Sequence, residues 1–132
     1  GTAKYVVTAD KRVLVSQFMA ASGSHPALLL AVTPAQWRTE YLVHAPPSWE
    51  VNFVDIIAEK GTTVMVDGAA VAGLVDIPGT GYVYTHAKLS NMGDGNHTIT
   101  GSARVGISIY GLQVAGSYWY PGGLDLALIP PG

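Results

Sequence analysis

The sequence predicts an all-β fold, an antiparallel β-sandwich of jelly-roll-like type built from about ten short strands. Short β-rich runs recur at intervals of about 8 to 12 residues, separated by turn signals, and almost no stretch keeps a helical period. Sixteen glycines and eight prolines punctuate 132 residues. Only 12% of the chain is charged while 48% is apolar, which excludes disorder and leaves too few Lys and Glu to solvate a helical bundle.

Taken in order, Tyr5 to Thr8 and Val13 to Phe18 read as the first strands, with Asp10, Lys11 and Arg12 turning between them. Ala27 to Val32 is a continuous apolar run of the kind expected for a strand buried on both sides. Pro34 to Thr39 suits one helical turn, with Thr33 as N-cap and Pro34 in the first position. Tyr41 to His44 returns to an extended pattern, which Pro46 and Pro47 end. Val51 to Ala58 is the longest strand candidate. Its two faces, Val51, Phe53, Asp55, Ile57 and Asn52, Val54, Ile56, Ala58, are both mostly apolar, which predicts a central position. Thr62 to Val66 and Ala69 to Val71 flank Asp67-Gly68, a pair that tolerates the positive φ of a type I′ hairpin turn. Gly81 to Leu89 and His97 to Thr100 follow, and Arg104 to Tyr110 is expected to pair with Leu112 to Tyr120 across Gly111. Thr8 to Phe18 also echoes Thr100 to Tyr110, with Thr, Arg, Val and Ser in register and an aromatic at each end, as related strands in two halves of a sandwich would.

A chain of this length suits one domain, expected over residues 1–132, with residues 1–7 as a linker or non-native lead and the whole cut from a longer protein. The net charge of −2 gives no footprint for nucleic acid or an anionic membrane, and no apolar run reaches the length of a membrane span. The absence of cysteine removes disulfides, thiolate metal sites and a thiol nucleophile. The four histidines show no metal-ligand spacing, there is no G-x-S-x-G, and no phosphate-binding loop is present, so neither a metal nor a cofactor is expected. Paired acids such as Glu50 with Asp55, or Asp67 with Asp76, would act on a glycoside only if folding set them a few Å apart, and read more simply as solvated surface.

The aromatics carry more. Tyr118-Trp119-Tyr120 stands at a strand end before Pro121-Gly122-Gly123, and alternation puts Tyr118 and Tyr120 on one face and Trp119 on the other. Taken singly, each ring reads as core or as a tyrosine corner. Taken with Asn91, Asp94 and Asn96 in the preceding glycine-bearing loop, they form a candidate ligand site, rings stacking on sugars and amides binding hydroxyls. Trp37 and Trp49 flank the Tyr41 to Pro47 segment and are expected to pack as a lid over one end of the sandwich, as core. Asn96-His97-Thr98 is also a glycosylation sequon, relevant only in a eukaryotic secretory route.

Four phrases, residues 9–18, 33–41, 52–58 and Ile109-Tyr-Gly111 leading to 120–124, resemble in order and spacing the amino-terminal domain of the IgG Fc-binding protein family, which is also widespread in bacterial cell-surface proteins. The resemblance places this chain as the carboxy-terminal portion of that longer domain. It implies an extracellular, non-enzymatic β domain of adhesive or mucin-like proteins, without carrying over Fc binding. The scarcity of charge adds the expectation of apolar surface hidden between subunits. The combined expectation is a recognition domain at the tip of an oligomeric surface fibre, a homotrimer by preference, that binds a glycan or glycoprotein. The alternative is an assembly module that caps a stalk and has no soluble ligand.

Overall fold

A computed structural model describes residues 4, 6–20 and 25–126, and it is all-β apart from one 3-10 turn at Pro34–Gln36. The strands are β1 (Ser16–Phe18), β2 (Leu28–Leu30), β3 (Arg38–His44), β4 (Val51–Glu59), β5 (Val64–Val66), β6 (Ala69–Ala70), β7 (Val75–Ile77), β8 (Tyr82–Leu89), β9 (Asn96–Gln113) and β10 (Gly116–Pro121). All pairings are antiparallel. The sheets curl into a sandwich-like body, as expected.

The organising element is β9, 18 residues long. Its first part lies between β3 and β5, and its second part lies between β4 and β10. One layer is therefore β3, β9, β5 and β6, and the other is β10, β9, β4, β8 and β7. The layers share a single core in which Tyr41, Val43, Ile99 and Val64 of the first meet Val54, Ile56, Val83 and Ile109 of the second. Between its two parts β9 bulges: a two-residue step from Arg38 to Glu40 in β3 is matched by a five-residue step from Val105 back to Thr100. Gly101 sits at the bend, where an added Cβ would lie 2.5 Å from the Ala103 carbonyl oxygen, so only glycine fits. Ser102 secures the bend by donating its N–H to Thr63 O at 2.9 Å and accepting the Thr63 N–H on its Oγ at 3.0 Å. Tyr41 closes it. Its buried hydroxyl donates to Val105 O at 2.6 Å and accepts the Arg38 N–H at 2.8 Å, so one phenol holds both strands where their register slips.

Several elements follow the sequence closely. β4 is central, pairing with β8 on one side and β9 on the other, with Asn52, Val54, Ile56 and Ala58 on the core face. Asp67 and Gly68 adopt φ of +51° and +78° in the two-residue turn between β5 and β6, as a type I′ turn requires.

Other expectations are corrected. The Ala27 to Val32 run is a strand only over β2 and is buried on one face. Leu29 is 8% exposed, but Leu28 and Leu30 are 48% and 45% exposed, because among the described residues β2 pairs only with β1, in a separate hairpin laid over the main sheet. The strand in Val13 to Phe18 starts at Ser16. Val6 to Thr8 is not a strand, and Tyr5 lies outside the described residues. The echo between Thr8 to Phe18 and Thr100 to Tyr110 has no structural counterpart, since the first segment is mostly exposed and unpaired while the second runs through the centre of the core. Gly111 is not a turn. The hairpin turns at Val114 and Ala115, with Ala115 at φ +55°, and Gly111 lies mid-strand opposite Tyr118. The helical turn is shorter than expected, and Thr33 makes no side-chain capping bond. Trp37 and Trp49 do not form one lid: Trp37 is buried as core, edge-on to Tyr82 over Gly106, and Trp49 packs half-buried and edge-on to Tyr118.

The Asp67 turn is tied to β9 by charge as well as backbone. Asp67 Oδ1 accepts the Thr98 N–H at 2.9 Å, and Oδ2 accepts the Nδ1 proton of His97, a ring only 3% exposed, at 2.7 Å. Partial burial would raise the carboxyl, but the bonds from His97 and Thr98 outweigh it and hold Asp67 below the usual carboxylate range. A depressed folded-state pKa contributes stability above the unfolded value of about 4, and that contribution is lost as pH falls through the folded value. Asp67→Asn keeps a residue suited to positive φ but removes the charge. Thermal melts at neutral pH and near pH 3 are therefore expected to show a larger acid loss for the native chain than for Asp67→Asn.

Candidate functional site

The expected site residues fall into two groups, divided by the two faces of β10. Tyr118 and Tyr120 share the core-side face, and Trp119 points to the other side. The Tyr118 hydroxyl donates to Asn52 Oδ1 at 2.5 Å, and Asn52 Nδ2 donates to Pro46 O and to Asn91 Oδ1, both at 3.0 Å. Asn91 Nδ2 donates in turn to Trp49 O at 2.5 Å. The Trp49 ring meets Tyr118 edge-on, 4.8 Å between centroids, and Tyr118 stacks on Tyr120 at 6.0 Å with planes 27° apart. Gly111 makes this possible, because a Cβ there would lie 2.3 Å from the Tyr118 ring.

The strip continues through Tyr120, whose hydroxyl donates to His44 O at 2.7 Å and accepts the His44 N–H at 3.2 Å. His44 Nδ1 donates to Asn96 Oδ1 at 3.2 Å, and Asp94 accepts from the Asn96 amide nitrogen at 2.7 Å and from its backbone N–H at 3.0 Å. Those bonds from Asn96 hold the Asp94 carboxyl below its usual range. Folding thus joins five of the six expected residues, Asn91, Asp94, Asn96, Tyr118 and Tyr120, into one bonded strip. Within it Asn91, Tyr118 and Tyr120 already spend their polar atoms on neighbours, whereas Asp94, Asn96 and His44 stand exposed. Burial pushes the Tyr118 phenol up to about 12, with Tyr120 adding to the rise, so it remains a neutral donor throughout the ordinary pH range.

Trp119 belongs to a different place. Its Nε1 donates to Ser108 Oγ at 3.0 Å, and its ring lines a groove of about 230 Å³ between the outer face of the second layer and the β1–β2 hairpin. Asp55, Tyr84 and Trp37 line the same groove. Alternation in β4 was the available signal for Asp55, a lone acid on an otherwise apolar face, although nothing local to β4 signals that the hairpin roofs it. Three of the four acids considered as catalytic pairs have partners of their own: Asp67 bonds His97, Asp76 bonds Lys60 at 2.6 Å, and Glu50 accepts the Val114 N–H at 3.1 Å, while the fourth, Asp55, lies in the groove.

Fold and surface together define an all-β domain that presents a bonded polar loop at one edge and an aromatic groove on one face, an arrangement suited to binding. The chain belongs to the IgGFc binding protein family, whose model matches residues 1–111. No curated protein and no solved structure matches it. Membership points to a binding module rather than an enzyme, with a protein as its partner, in a family whose members are typically secreted. No helix among the described residues is long and apolar enough to cross a membrane.

Asn52 is fully buried, so its carbonyl depends on the Tyr118 hydroxyl. Tyr118→Phe leaves that acceptor without its donor and is expected to lower unfolding free energy by about 1–3 kcal/mol, read by denaturant unfolding, while the fold persists. An unchanged midpoint would show that the strip is not held by this bond.

Proposed function

We propose that the chain is the recognition domain at the tip of an oligomeric surface fibre or adhesin, and that it binds a glycan or glycoprotein on another surface. The observation that carries this reading is the bonded strip. Tyr118, Tyr120, Trp49 and Asn91 hold the loop from behind, so Asp94 and Asn96 meet a ligand in fixed positions and lose little entropy on binding. A carboxylate and an amide so placed bind vicinal hydroxyls, and His44 adds an exposed imidazole beside them. Single-site affinity on so small a surface is weak and is raised by multivalency.

The oligomer is supported by the outward face of the β1–β2 hairpin. Phe18 and Leu28 are paired in register and are 72% and 48% exposed, and Leu14 is 78% exposed on the same segment. We propose that copies associate through this face as a homotrimer. The same face also supports the second reading, a stalk-capping assembly module without a soluble ligand.

Light scattering joined to a glycan array separates these readings. The recognition reading expects an oligomeric mass, glycan binding that Asp94→Ala or Asn96→Ala weakens about tenfold, and loss of avidity when Phe18→Ser with Leu28→Ser yields monomers. An oligomer with no glycan binding supports the assembly module, and a monomeric native chain overturns the fibre-tip reading.

A further inference from the structure

On the outer face of the second layer, away from the polar loop, Asp55 lies half-buried in the groove, opposite Ser108 on β9 and His86 on β8. Burial raises its pKa, the charges of Lys4 and His86 act against that rise, and among the described residues none donates a hydrogen bond to its carboxylate. A carboxylate drawn out of water without donors favours a cation above it. The surroundings suit one. Tyr84, Trp119 and Trp37 supply aromatic walls, and Ile57 and Leu29 supply apolar lining for an alkyl stem. A cation is in fact seated there: Lys4 Nζ stands 4.4 Å from the centroid of the Tyr84 ring. Lys4 makes no direct ion pair with Asp55, and the segment behind it is loosely held, without strand pairing over residues 6–15 and with Val6 and Val7 53% and 56% exposed.

We propose that this groove is a receptor site for a lysine or arginine side chain of a protein partner, and that Lys4 occupies it in the free domain as a displaceable stand-in. Asp55 supplies the counter-charge, Tyr84 the cation–π face, and Trp119 closes the opposite wall. Charge complementarity selects this occupant: an acidic floor with aromatic walls discriminates against anionic and purely apolar segments. The site is separate from the Asp94 and Asn96 loop, so either can fail without the other.

The probe is Nα-acetyl-lysine methylamide, with Nα-acetyl-norleucine methylamide as its uncharged counterpart. Both are titrated into the full chain while the Trp119 indole and the Asp55 and Ser108 amides are followed by NMR. Because an internal competitor lowers apparent affinity by the fraction of time it occupies the site, Lys4→Ala is expected to bind the lysine probe at least about threefold more tightly than the native chain. Asp55→Asn, which removes the counter-charge, is expected to bind it about tenfold more weakly, and the norleucine probe is expected to bind no variant. As an independent readout, the Asp55 carboxyl is expected to titrate higher in Lys4→Ala than in the native chain. The proposal is overturned if Lys4→Ala binds no more tightly than the native chain, or if the norleucine probe matches the lysine probe. Absence of lysine binding to Lys4→Ala at concentrations on the order of 10 mM also overturns it. Unchanged glycan binding by Asp55→Asn keeps this outcome distinct from that of the loop.

Discussion

One phenol holds the point on which the two layers depend. A strand as long as β9 cannot remain flat, because its natural twist carries its far end out of any single sheet. Here the excess length is absorbed in a bulge between Thr100 and Val105, and Tyr41 spans that bulge from β3, bonded at once to Arg38 N–H and Val105 O. Burial raises the Tyr41 pKa against the opposing bond from Arg38, so the hydroxyl stays a neutral donor and acceptor. Without that tether the two parts of β9 would be free to splay, and Ile99 and Ile109, both fully buried, would no longer be held to a common core. The layers are therefore two ends of one strand, and what happens at either end is mechanically linked to the other.

That linkage sets where binding surfaces can lie. β10 pairs along the second part of β9, so its alternation decides that Tyr118 and Tyr120 face the core side while Trp119 faces the groove. Asn96 and His97 open the first part of β9, so the polar loop is fixed to the same strand from its other end. The Tyr118 and Tyr120 hydroxyls are bonded to Asn52 and His44, and the side chains most open to solvent are the short polar ones in front of them. In the proposed recognition role, partly buried rings that brace the loop lower the entropy cost of presenting Asp94 and Asn96.

What was legible in the residues was the local part of this design. Alternation over Val51 to Ala58 marked a central strand, and Asp67-Gly68 marked the β5–β6 hairpin, because both signals are written within a few consecutive residues. The opposite orientation of Trp119 followed from the same parity. The misread elements depend on distant contacts. An apolar run such as Ala27 to Val32 looks the same whether one face or two are covered, and only the separate β1–β2 pairing decides. Gly101-Ser102 reads as a break between strands, yet Thr63 bonds to Ser102 across the bend and β9 continues. Gly111 reads as a turn because glycine often marks one, whereas its role is to admit the Tyr118 ring. The phenol that ties the layers together is Tyr41, and its partner 64 residues away leaves no local trace.

Native-state hydrogen exchange along β9 tests this account most directly. If Tyr41 and the bulge make β9 one cooperative element, the amides of Ile99 and Ile109 exchange through the same global opening with equal free energies and equal denaturant dependence, while the β1–β2 hairpin opens far more easily. Distinct opening free energies for Ile99 and Ile109, with one layer exchanging while the other stays protected, would contradict it.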